Sequence, residues 1–115
     1  MTGRRSLWGR LTNAIGNLTG GYQFTLGERY RSRGQLDEAV TAFAAAEHWE
    51  AANMGPKHPY VVAAIIARAA TLAQMGKTEE ACRQYERALH LIEETVGPDH
   101  PKAREIERYL NVNCG

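Results

Sequence analysis

From Thr78 onward the apolar residues Ala81, Tyr85, Ala88, Leu89, Ile92 and Val96 fall at i, i+4, i+7, i+8, i+11 and i+15, with mostly charged or polar residues between them. That spacing places them on one face of an α-helix. Thr78, Glu79 and Glu80 give the helix a polar, acidic first turn, which suits its positive end. Gly97-Pro98 stops it, because glycine reaches positive φ and proline cannot extend the hydrogen-bond ladder; Pro101 suits the first turn of the next helix. The same reasoning predicts helices over about 22–33, ended by Gly34, and over about 36–53, rich in alanine. Residues 60–75, YVVAAIIARAATLAQM, form the most apolar segment, expected at the centre of the molecule. A last helix from Pro101 carries Ile106, Tyr109 and Leu110.

The pattern occurs twice. Residues 34–59, GQLDEAVTAFAAAEHWEAANMGPKHP, align with 76–101, GKTEEACRQYERALHLIEETVGPDHP, at a constant offset of 42. Under that offset Glu38 pairs with Glu80, Ala39 with Ala81, Phe43 with Tyr85, Ala46 with Ala88 and His48 with His90. A fixed period of this size marks a chain of stacked helical hairpins, each burying its apolar face against its neighbours.

These residues resemble the tetratricopeptide repeat family. Its usual unit is about 34 residues; the GPDHP loop at 97–101 is similar to that of the longer variant found in kinesin light chains and many bacterial proteins. Leu26-Gly27, Tyr30, Gly34, Ala39, Phe43 and Ala46 fill the leucine-glycine, tyrosine, glycine, alanine, aromatic and alanine slots of a first repeat. Gly76, Ala81, Tyr85, Ala88 and Leu89 match the second half of another. Three positions depart from the pattern: Arg68 replaces a helix-packing leucine, Leu72 a tyrosine, and Glu47 stands where its twin is Leu89. An arginine at Arg68 needs a carboxylate partner or a route to water.

The resemblance implies an all-α hairpin solenoid. Its parts would be a segment at 1–18, repeats at about 19–59 and 60–101 within a domain of 19–115, and a capping helix at 101–112. It further implies that the first helix of each hairpin lines a concave groove that binds a peptide or partner helix. Carried over residue by residue, the groove positions are Phe24, Thr25, Glu28, Arg31 and Ser32 in the first repeat, and Ala63, Ile66, Ala67, Ala70 and Gln74 in the second. The second set is apolar and small, suiting a helix laid in the groove or the protein's own terminal segments. The expected function is a non-catalytic scaffold or accessory subunit. Two repeats are fewer than the roughly three needed for a stable stack, so self-association or ordering against a larger assembly is expected.

In residues 1–18, Leu7, Trp8, Leu11 and Ile15 recur at helical spacing while Arg4, Arg5 and Arg10 lie elsewhere on the wheel. Such a basic amphipathic segment caps the stack or docks on a partner or a membrane surface. The alternative function is therefore a peripheral membrane-associated factor. Gly3, Gly9, Gly16 and the Gly20-Gly21 pair are expected to weaken any long helix there. Residues 1–33 carry six arginines and one acid, +5, leaving −4 for residues 34–115 and +1 overall; this dipolar distribution favours an acidic partner or head-to-tail association, or is surface solvation alone. Arg29, Arg31 and Arg33 spread over different helix faces, which argues against nucleic-acid binding.

The histidine pairs His48/His90 and His58/His100 follow from the repeat, and no ligand spacing surrounds them, so no metal is expected. No catalytic triad order, phosphate loop or zinc-protease motif is present, and neither catalysis nor a cofactor is expected. The two cysteines, Cys82 and Cys114, lack CxxC spacing and are expected as free thiols. With no apolar leader and no spanning stretch, a cytoplasmic location is the expectation.

Overall fold

The computed structural model describes residues 20–115. Its backbone there is five helices without a strand: α1 over residues 20–32, α2 Leu36–Met54, α3 Pro59–Gln74, α4 Thr78–Thr95 and α5 Pro101–Asn113. Each lies within two residues of the span that apolar periodicity predicts.

The punctuation repeats with the period. Gly55 and Gly97 hold φ of 98° and 99°, values costly for a residue with a Cβ, and each turns the chain out of a long helix into a GPxHP loop. His58 and His100 then cap α3 and α5: each Nδ1 accepts the backbone N–H two residues on, of Tyr60 and Lys102, at 3.1 Å. Both helices begin on proline at the first position, where no N–H is required. The α2 and α4 starts have no side-chain cap; acidic pairs, Asp37-Glu38 and Glu79-Glu80, face the helix dipole instead.

Stacking follows chain order, with α3 packed on both α2 and α4, and α5 on α4. Helix α3 buries Val61, Val62, Ala64, Ile65, Ala69, Thr71 and Leu72 and forms the centre. Thr71, wholly buried, satisfies its hydroxyl by donating to the Ala67 carbonyl at 2.7 Å. Small residues let the helices close up: Ala39, Ala46, Ala64, Ala69, Ala81, Ala88 and Ala103 are inaccessible to solvent. At α5 the core ends in Ala103 and Ile106, packed with Val61, Val62, Ile65, Ala88 and Ile92. The architecture is an all-α hairpin-repeat solenoid closed by a single helix.

Gly20 and Gly21 fall in the first described turn of α1; the expected weakening of a helix over residues 1–18 lies outside the described residues. A Cβ on Gly20 would meet the Glu50 carboxylate, the movable end of its side chain, and lie at ordinary contact distance, 3.4 Å, from Cβ of Trp49, so α1 lies close against the end of α2. The cysteines are not free thiols. Cys82 and Cys114 form a disulfide with Cα atoms 6.0 Å apart, because the antiparallel α4–α5 hairpin returns the end of α5 to the beginning of α4. Their spacing of 32 residues along the chain carries no trace of this proximity. The thiol argument for a cytoplasmic location goes with it.

Candidate partner-binding trough

Helices α1 and α3 run side by side in the same direction. Near their N-terminal ends Phe24 and Ala63, with Gly20, Gly21, Ala46, Glu50 and Tyr60, line a cavity of about 300 Å³. Near their C-terminal ends Arg31 Nε donates to Gln74 Oε1 at 2.6 Å. At 1.5 Å rise per residue, seven residues of α1 and eleven of α3 separate the two points, a trough of about 10 to 16 Å.

All ten residues expected in the groove are in the described part, and their surroundings differ. Thr25, Glu28, Ser32, Ala63 and Gln74 are exposed. Arg31, Ala67 and Ala70 are half-buried. Phe24 is shared: its ring meets Phe43 edge-on at 5.4 Å between centroids while also lining the cavity. Ile66 leans against the core cluster, so its contribution to the trough is partial. The Ser32 hydroxyl donates to the Arg29 carbonyl at 2.9 Å. The docking residues Leu7, Trp8, Leu11 and Ile15 lie outside the described residues.

Beyond Arg31 stands a feature that the sequence pattern treats only as packing. Tyr85 of α4 and Tyr109 of α5 pack together with ring centroids 4.5 Å apart and planes tilted by 48°. Burial, reinforced by Tyr109, raises the Tyr85 phenol above its ordinary range; Glu105 also raises it and Arg31 opposes the shift. Those influences place residues of α1 and α5 around one phenol. The signal available in sequence was weak, since aromatics at these helical positions read as core.

The departures from the repeat pattern explain one another. Arg68 and Glu47, each anomalous alone, meet between α3 and α2, with Arg68 Nη1 3.8 Å from Glu47 Oε1. Arg87 of α4 completes the cluster, its Nη2 2.7 Å from Glu47 Oε2. This is structural electrostatics between hairpins and leaves the trough to its own chemistry. The histidines of the loops are likewise engaged as helix caps. Among the described residues no group of three His, Cys, Asp or Glu is placed to hold a metal ion, and no helix is long and apolar enough to cross a membrane.

Residues 61–102, spanning α3, α4 and the opening of α5, match the tetratricopeptide repeat family. The chain carries a tetratricopeptide repeat. No curated protein matches it. The matched segment is the second hairpin of the stack, and the first shares its alanine, aromatic and glycine positions at the 42-residue offset. Tetratricopeptide repeats are in general protein-protein interaction modules and are not catalytic.

Proposed function

We propose that the protein is a scaffold or accessory subunit that binds a helix or extended peptide of a protein partner in the trough between α1 and α3. The observation supporting this reading is the in-register pairing of the two helices. Phe24 and Ala63 leave an apolar recess at one end, and the Arg31–Gln74 hydrogen bond presents a guanidinium at the other. Between them Ala67 and Ala70 leave room for a backbone to approach. A partner segment with a small or aromatic anchor, followed one to two helical turns later by a carboxylate or carbonyl cluster, complements this surface.

Selection of a displayed peptide library against the purified chain tests the reading. Peptides recovered on the parent protein should bind Ala63→Arg and Arg31→Ala at least about tenfold more weakly, roughly 1.4 kcal/mol. The Thr41→Arg variant, on the exposed face of α2, should bind as the parent does. Peptides insensitive to both trough substitutions would place recognition elsewhere.

Two hairpins are few for a self-sufficient stack, so we include self-association in the same reading; light scattering across concentration and salt reports it directly. A cytoplasmic setting is compatible with this role if the disulfide cycles with the thiol pool there.

A further inference from the structure

Helix α5 is anchored unevenly. Its first half places Ala103 and Ile106, 0% and 2% exposed, in the core cluster. From Glu107 to Asn113 no residue is fully buried; Tyr109 and Leu110 are half-covered, and Arg108, Asn111, Val112 and Asn113 are exposed. The covalent tie to α4 comes immediately after this poorly buried stretch, at Cys114. A segment with few buried apolar contacts opens locally at low cost unless something else holds it, and here the disulfide does so.

The two cysteine residues differ in exposure. Cys82 is 8% exposed, whereas Cys114 is half-buried and both border an open cleft of about 420 Å³ lined by Thr78, Glu79, Arg83, Glu86 and Asn113. Of the two cysteines bordering that cleft, Cys114 is the more exposed and is taken as the point of attack.

We propose that the Cys82–Cys114 disulfide is a reversible redox latch that holds the last two turns of α5, and Tyr109 with them, against α4. In the opening step the thiolate of a low-molecular-weight thiol attacks Cys114 Sγ. A new S–S bond forms between reductant and Cys114 as the protein S–S bond breaks, and the electron pair leaves on Cys82 Sγ, which takes a proton from water. A second thiolate then attacks the reductant sulfur of the mixed disulfide and expels the Cys114 thiolate, which is protonated in turn. Two thiols are oxidised to one low-molecular-weight disulfide, and the protein disulfide is reduced to two thiols. Reaction with such a disulfide in the opposite direction closes the latch. Opening removes the constraint that keeps Tyr109 on Tyr85, beside Arg31 of the trough. Its effect on partner binding rests on the function proposed above; the latch does not.

Hydrogen exchange read by mass spectrometry on the full chain, oxidised and after equilibration with millimolar glutathione, tests the latch without any ligand. Thiol titration of the same samples should find two thiols after glutathione and none before. Amides of residues 107–113 should lose about tenfold or more of their protection on reduction, while those of α3 keep theirs. The Cys82→Ser/Cys114→Ser variant should show the reduced pattern with no reductant present. A disulfide that resists glutathione, α5 protection that survives reduction, or loss of protection across α3 as well would each overturn the proposal, the last by making the bond a global staple. Peptides insensitive to Ala63→Arg and Arg31→Ala, with the exchange pattern as expected, would count against the trough and leave the latch standing.

Discussion

Glu47 of α2 and Arg68 of α3 face each other with Oε1 and Nη1 3.8 Å apart, each standing where the repeat pattern calls for an apolar residue. Two departures have become one interaction, shared with Arg87 at 2.7 Å from the other carboxylate oxygen. The arrangement is incompletely satisfied: Glu47 Oε1 and Arg68 Nε are buried without a hydrogen-bond partner among the described residues. Glu47→Leu, which strands Arg68, should destabilise the fold by about 1 to 2 kcal/mol, less than for a fully buried pair because both side chains retain some solvent contact. Glu47→Leu/Arg68→Leu should recover most of that loss. A double-mutant cycle from urea unfolding measures the coupling, and additive losses would show that the pair does not act as a unit.

Gly27 lies against the ring of Phe43, and a Cβ built there would sit 2.7 Å from two ring carbons. Phe43 is 0% exposed, so its ring must move within the core to admit the methyl group. Gly27→Ala should therefore cost about 1 to 3 kcal/mol by overpacking, despite alanine's better helix propensity. Thermal unfolding checks the sign; a gain in stability would mean that α1 can shift away from α2.

The loop histidines act through their unprotonated Nδ1 atoms, each accepting a hydrogen bond at 3.1 Å. His58→Ala and His100→Ala should each cost about 1 kcal/mol as cap losses, and Asn at either position should restore most of it. If Asn performs no better than Ala, the caps contribute nothing measurable.

Two groups set the direction of pH dependence at opposite ends of the scale. The Lys57 ammonium, hydrogen-bonded to Glu94 and assisted by His90, holds the Glu94 carboxyl below its ordinary range. Its stabilisation is present above the unfolded-state value and is lost as pH falls through the lowered one; Glu94→Gln should flatten that acid limb. For Tyr85 the folded value is raised, chiefly by burial, so the neutral phenol is favoured. Stability is full below the unfolded value, about 10, and is lost as pH rises through the raised one. Phenolate absorbance should show one late-titrating tyrosine, and Tyr85→Phe should remove it.

How far the chain could be read in advance depended on the range of the forces involved. Helix spans, the 42-residue period, the glycine exits and the histidine loops were legible because each is a contest among neighbours within one or two turns.

The sequence by itself determined the helices, their order and the repeat that stacks them, because apolar periodicity and turn chemistry act along the chain. Only the tertiary structure decided that Glu47 would meet Arg68, that Arg31 would reach Gln74, that Tyr85 would pack on Tyr109 and that Cys82 would join Cys114. Each of those pairs joins one helix to another or, for Cys114, to the residue just past the end of α5. Which side chains meet depends on how the helices lie against one another, a quantity set by the summed packing of many small residues and written at no single position.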